Sequence, residues 1–336
     1  MKVKVSESMR VVVFQRLRRL GVAMLAAWLL ASASAEAQTY PSRPVRIVVP
    51  AAPGGALDVI ARLLASKVGE IWKQRPYIEN KPGANWIIGM EAVAKSPPDG
   101  YTLLFVASAA LTVHPFVFPN MPLDPLHDLG LVMSATHTPF VLLINPSVPA
   151  RTVPEFIEHV RANPGKLNHA SNSTTTMLAS ELFKARAKLE YVDINYRGAS
   201  QAIVATQSGS TQLCFVDLGS GMSAIEGKTL YPLGLTSPTR YDLIPDMPTV
   251  AEQGLPGYSA ASMTLLLAPA SVPTGIVGAV NAAFQRARQS PEVVKRLHAM
   301  GQAVSNESRA EAAEALQSEA EQWKRLIAER HIQFGR

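Results

Sequence analysis

The sequence predicts an α/β fold in two domains, built on open and largely parallel sheets. Three observations carry that expectation. The chain has 336 residues, 47% hydrophobic and 17% charged, which supplies apolar side chains for two cores and excludes disorder. Short β-branched or apolar runs alternate along it with segments of helical periodicity. Two strand-to-helix turns in separate halves are rich in glycine or hydroxyl residues, the arrangement that a two-lobed cleft with ligand at the carboxyl ends of strands requires.

Taken in order, residues 1–37 have the build of a secretory signal. Lys2, Lys4, Arg10, Arg16, Arg18 and Arg19 precede an apolar run at 20–31, and small residues end in Ala35-Glu36-Ala37, so cleavage is expected before Gln38. The apolar run falls short of the ~20 residues that span a bilayer, and no cysteine stands near for a lipid anchor. A periplasmic location follows, reached by unfolded export. This segment also explains the net charge of +6: residues 38–336 keep 26 basic against 24 acidic side chains, with no basic face to suggest nucleic acid.

Beyond it, a strand is expected at 46–50, then a helix with Ile60, Leu63, Leu64, Val68 and Ile71 on one face. A second strand runs from 101 to 106 after the turn residues Pro97-Pro98-Asp99-Gly100, and a third from 140 to 144. Thr152-Val153-Pro154-Glu155 reads as a capping box opening a helix that stops near Asn163-Pro164-Gly165. Further strands are expected at 167–170, 190–194, 213–216, 230–235 and 263–268, separated by helical stretches. Near the C-terminus Ser290-Pro291 starts a helix and Gly301 stops it, while Ala312, Leu316, Ala320, Trp323 and Ile327 form a last apolar stripe. Cys214, alone in the chain, reads as a core residue of its strand, and no intramolecular disulfide can form.

Signatures of catalysis are mostly absent. Gly221 to Gly227-Lys228-Thr229 imitates a phosphate-binding loop, but five residues separate its glycines where the motif has four. Ser108 follows a strand without the glycines that a nucleophile elbow needs, and the seven histidines show no ligand spacing. No catalytic residue, metal or cofactor is expected. Pro53-Gly54-Gly55-Ala56-Leu57-Asp58 instead turns from a strand straight into a helix. Either its glycines let backbone N–H groups meet a carboxylate, or they merely make a tight turn that Asp58 caps. In the run Ala170-Ser171-Asn172-Ser173-Thr174-Thr175-Thr176, hydroxyls crowd a second helix start, more of them than capping alone needs.

Collinear motifs then make the mature chain resemble a known family. They include Tyr40-Pro41-Ser42-Arg43-Pro44-Val45-Arg46, Pro53-Gly54-Gly55 with Asp58, Glu79-Asn80-Lys81-Pro82-Gly83-Ala84, Pro98-Asp99-Gly100-Tyr101-Thr102-Leu103-Leu104 and Pro164-Gly165-Lys166-Leu167-Asn168. Tyr196-Arg197-Gly198 and Pro245-Asp246-Met247-Pro248-Thr249-Val250-Ala251-Glu252 continue the series. On these residues the chain is identified as similar to the extracytoplasmic receptors of tripartite tricarboxylate transporters, the Bug or TctC-like family. The resemblance implies a type II Venus-flytrap fold with two crossover strands near 140–144 and 262–268. Lobe 1 would comprise 38–140 with 262–336, and lobe 2 would comprise 141–261.

The resemblance also implies that the loops at 53–58 and 171–176 grip a carboxylate from opposite sides, partly through water, and that the closed receptor hands it to a membrane permease. Pro53, Gly54, Gly55, Ala56, Asp58, Ser171, Ser173, Thr174 and Thr175 are the expected contacts, with Ser108 a further polar one. Three features depart from the family. The second loop is two residues shorter, with Met177 where relatives carry His; Asn85-Trp86-Ile87 replaces a glycine-rich stretch; and the 106–111 loop retains Ser108 as its main polar side chain. They predict a more apolar pocket than that of a citrate or aspartate receptor, with Trp86 either at the cleft or on the lobe's surface. Asp217 either accepts from an amine or hydroxyl of the ligand or caps its own loop. A monomer is expected, with no nucleic-acid partner. Other classes differ in what would reveal them: a periplasmic sensor by a signalling partner, a secreted enzyme by turnover of the bound carboxylate. A DNA-binding regulator is argued against by the export signal and by the absence of an N-terminal helix-turn-helix.

Overall fold

The computed structural model describes residues 40–332 and 334, so the expected signal segment and its cleavage site lie outside the described residues. Among the described residues ten strands are present: β1 (Arg46–Val49), β2 (Tyr77–Asn80), β3 (Thr102–Ala107), β4 (Leu129–Ile144), β5 (Asn168–Ser171), β6 (Val192–Asn195), β7 (Leu213–Asp217), β8 (Tyr231–Leu235), β9 (Ala261–Pro269) and β10 (Ala303–Val304). Their main path runs β2-β1-β3-β9-β4-β7-β5-β6, and β8 and β10 also pair with β4.

The expectation of largely parallel sheets needs correction. The outer strands are parallel, β1 with β2 and β3, and β5 with β6 and β7. The centre is antiparallel, because β9 returns between β3 and β4, and β4 then meets β7 and β8 head to tail. Strand β4 is also far longer than the stretch expected at 140–144. Its first part carries Ser134, Thr136, His137, Thr138 and Pro139, polar or ring-closed residues that break up an otherwise apolar run. Two register shifts against β9 let that mixed sequence stay paired.

Pro139 marks where β4 changes partners. Up to it the strand pairs with β9, and from Phe140 onward it pairs with β7 and β8. A proline has no N–H for the ladder, so a change of neighbour there loses no hydrogen bond. Thr236 then fills the junction: Phe140 N donates to its Oγ1 at 2.8 Å, and its own N–H donates to Phe140 O at 2.9 Å. The Thr236 hydroxyl also bonds Ala260 O, and Ala260 N donates back to Thr236 O at 2.9 Å, just before β9 begins. One threonine therefore ties the point where β4 changes partners to the segment that leads into β9.

Helices follow the apolar periodicity. In the Ala56–Trp72 helix Ile60, Leu64 and Val68 are fully buried while Leu63 and Ile71 lie at the margin. Thr152 Oγ1 accepts from Glu155 N as the capping box predicts, but Glu155 Oε2 accepts from Arg151 N, so the reciprocal half is made one residue early. Ser290 caps the Pro291–Ala299 helix. In the Arg309–Glu329 helix Ala312, Leu316, Ala320 and Trp323 are buried, and Leu326 sits deeper than Ile327. Leu316 packs into the apolar cluster of β1, β3 and β9, whereas Trp323 and Leu326 join the cluster around Phe140, Leu142 and Phe215. A single helix thus serves both cores, and Trp323 is packing, with its Nε1 donating to Glu319.

The imitation phosphate loop is resolved by secondary structure. Gly221 lies inside the Leu218–Glu226 helix, where a Cβ would come within 3.1 Å of Val141, so its glycine serves close packing. Cys214 is buried in β7, and burial pushes its thiol up to about 12, which leaves it unreactive.

Candidate functional site

The carboxyl ends of β1, β3 and β7 open onto a cleft of about 510 Å³. One wall consists of Ala51, Gly55, Ala56, Leu57, Ile60, Trp86 and Ala107. The facing wall is Asp217, Gly219 and Ser220, and Thr138, Ser262, Thr264, Met300 and Gln302 form the floor between them. A cleft of this size accommodates a small organic ligand.

On the first wall, the Ala56–Trp72 helix begins at Gly55, whose extended backbone makes it the N-cap without any side-chain cap. Among the described residues the N–H groups of Ala56 and Leu57 therefore have no partner, and they lie at the positive end of a 17-residue helix. Asp58 does not reach them. Its Oδ2 accepts from Gly54 N at 2.9 Å and from Arg62 Nε at 2.9 Å, and its Oδ1 accepts from Asn80 Nδ2 at 2.9 Å. Burial opposes its charge, yet the hydrogen bonds from Arg62, Gly54 and Asn80 prevail and hold the carboxyl at about 2. The open donors of this turn are thus Ala56 and Leu57, since Gly55 N is turned to Ala52 O at 3.5 Å, and Asp58 braces the loop from behind. Gly54 is a correction to the expected donors, because its N–H is already committed to Asp58.

Trp86 stands at the cleft, and its placement is backed by strain. Ala84, Asn85 and Trp86 have φ of 43°, 51° and 73°, three successive left-handed residues of which none is glycine. Behind the indole lies His114, with ring centroids 5.4 Å apart, and burial pushes that imidazole down to about 4, so it stays neutral.

Asp217 occupies the N-cap of the Leu218–Glu226 helix but makes no side-chain cap bond. Among the described residues no cation pairs with it, and burial raises its carboxyl above the ordinary range. Next to it, Gly219 approaches the Met300–Gly301 turn so closely that a Cβ would fall 2.7 Å from Met300 O. On the floor, Gln302 Oε1 accepts from Thr136 Oγ1 at 3.0 Å and from Thr138 Oγ1, and Thr136 bonds Thr264 at 2.6 Å. With that oxygen occupied, the Gln302 amide nitrogen is left as a donor toward the cleft.

Gly55, Ala56, Trp86 and Asp217 are thus brought together in this cleft, while the other expected contacts lie elsewhere. Pro53 and Gly54 sit exposed on the turn. Ser108 precedes the Ala109–Thr112 turn within the core without capping it, and its Oγ accepts from Met263 N at 3.3 Å and lies 3.5 Å from Glu319 Oε1. Ser171 is buried beside Ile194. Ser173 and Thr176 form a complete capping box that serves their own helix, Thr174–Ala187, whose first turn holds Thr174 and Thr175. That loop follows β5, parallel to β7, so it lies on the same strand edge as Asp217 without lining the cleft. Sequence reasoning missed Ser220, Thr138, Thr264 and Gln302. Ser220 was within reach, since a glycine and a serine directly after a strand repeat the pattern read at Gly54-Gly55.

Two sheet regions joined by crossing strands around such a cleft define a periplasmic-binding-protein architecture. The family model for the tripartite tricarboxylate transporter family receptor matches residues 60–332, and the chain belongs to that family. It is 36% identical over 293 residues to the UPF0065 protein of the tcbD–tcbE intergenic region of a Pseudomonas species, covering 86% of this chain and 87% of the relative. Among solved structures, an R. palustris protein with adipate is 28% identical at a TM-score of 0.71, covering 86% of this chain and 97% of that one. MatC from Rhodopseudomonas palustris with bound malate is 27% identical at a TM-score of 0.68, covering 86% and 100%. The family and fold are those of two-lobed solute-binding receptors and not of enzymes.

Proposed function

We propose that this protein is a periplasmic receptor that captures a small carboxylate in the cleft between Gly55–Leu57 and Asp217–Ser220 and delivers it to a tripartite tricarboxylate transporter permease. The observation that carries the reading is the helix start at Ala56 and Leu57, where N–H groups without a partner among the described residues line a cavity of ligand size. Carboxylates bound by related receptors support it. The lobes are taken as 38–140 with 262–336, and 141–261, with the crossings at Phe140 and Ala260 that Thr236 ties together. Gly55, Ala56, Trp86 and Asp217 form the ligand site. Ser171, Ser173, Thr174 and Thr175 are neighbours on the same edge and enter only if the lobes close further. Ligand favours the closed state because only there do both walls meet one molecule.

Calorimetric titration of the purified protein with adipate, malate, hexanoate, 6-aminohexanoate and L-phenylalanine, against their primary amides, tests this reading. Binding of at least one acid but not of its amide is the expected result. Equal binding of acid and amide, or binding of neither, overturns it.

A further inference from the structure

We infer that the ligand is a zwitterion, a carboxylate that also carries an ammonium group, with its carboxylate on the Ala56 and Leu57 N–H groups and its ammonium on Asp217. The inference rests on the receptor reading above and names the substrate class.

The cleft's charge pattern leads to it. Of the residues that form its walls and floor, Asp217 is the one with a charged side chain, and the rest are apolar or neutral and polar. A simple mono- or dicarboxylate would bring a second negative charge into a cavity that already holds one, with no lysine or arginine in the lining to offset either. Like charges at close range in a desolvated site cost several kcal/mol of affinity. An ammonium group removes the conflict, because it pairs with a carboxylate that, among the described residues, no cation holds.

The second, independent observation is that Asp217 declines the role its position offers. An aspartate at an N-cap ordinarily accepts from the N–H two or three residues on, yet Asp217 makes no such bond and no ion pair among the described residues. The Asp58 carboxylate, by contrast, is held by three donors. Burial disfavours the Asp217 charge in the free protein, so a cationic group that relieves this penalty binds with correspondingly greater advantage. Trp86, Leu57 and Ile60 line the opposite wall and suit an apolar body between the two charged ends.

Calorimetry on the full protein with matched probes tests this. 6-Aminohexanoate, hexanoate, adipate and hexylamine share a chain length, and L-phenylalanine, 3-phenylpropanoate and phenethylamine supply the α-amino and aromatic case. In at least one series the amino acid is expected to bind about tenfold or more tighter than both the plain acid and the plain amine. Asp217→Asn is expected to reverse the preference, weakening the amino acid and strengthening the plain acid. Plain acids binding as well as or better than amino acids in the unaltered protein overturns the zwitterion while leaving the receptor reading intact, and this arm does not depend on whether the variant folds. Failure of every acid, amino or plain, removes the receptor reading and the inference with it.

Discussion

Two strand-to-helix turns in this molecule look alike in sequence and behave in opposite ways. After β1, the turn at Gly54-Gly55 leaves its helix uncapped, so the first N–H groups point into the cleft without partners. After β5, the turn at Ser173 meets its own needs: Ser173 Oγ accepts from Thr176 N at 3.2 Å, and Thr176 Oγ1 accepts from Ser173 N at 3.1 Å. The hydroxyls of Ser173 and Thr176 are thus consumed locally, whereas the glycine turn supplies no side-chain cap and leaves the N–H groups of Ala56 and Leu57 open. The lesson is that a helix start becomes a ligand site when its own sequence fails to cap it.

That contrast can be broken most forcefully at Gly55. Gly55→Leu puts a side chain at the cleft wall and is expected to lower carboxylate affinity roughly a hundredfold, as loss of a central contact does at about 2–3 kcal/mol. The melting temperature should hold, because a Cβ there meets only Ala52 O at 3.5 Å. A finer comparison uses proline at the first helical position of each turn, which deletes one N–H and keeps the helix. Ala56→Pro is tolerated by the extended Gly55 before it and should weaken binding about tenfold, the ~1.5 kcal/mol or more of one hydrogen bond to a charged group. Thr174→Pro follows an equally extended Ser173 and should leave affinity within about twofold. Equal losses from both prolines would place the Ser/Thr turn back in the binding site.

Ser173→Ala sharpens the contrast from the side of stability. It should cost about 1 kcal/mol in denaturant unfolding with no change in ligand affinity. A separate effect, on the pH dependence of stability, concerns Glu319, to which Ser108 turns instead of the cleft. Burial raises this carboxyl to about 7 against the hydrogen bonds of Trp323, Thr112 and Ser108. Between its unfolded value and about 7 the folded state holds a proton that the unfolded state has released, so stability should fall as pH rises through that window. Glu319→Gln should flatten that slope, measured as unfolding free energy from pH 5 to pH 8.

Much of the fold was legible because burial writes a period into sequence. The Ala56–Trp72 and Arg309–Glu329 helices and strands β5 to β9 announce themselves by apolar spacing and by caps such as Ser290. Strand β4 did not, since the polar side chains of Thr136 and Thr138 are satisfied by partners 128 to 166 residues away, at Thr264 and Gln302. The antiparallel centre was hidden for the same reason: strand direction is set by which distant segment returns, and no local pattern records it. In the site, glycines and Trp86 could be read from their oddity. Ser108 and Ser171 misled, because a hydroxyl after a strand looks the same whether it faces a cleft or a core.

The Thr236 junction has a mechanical meaning. Phe140 on one crossing strand and Ala260 at the head of the other are fastened to the same residue. Neither strand can pivot there without carrying its neighbour, so the two connections act as one pin. Any swing of one sheet region against the other at this line must therefore disturb bonds to Phe140 and to Ala260 together.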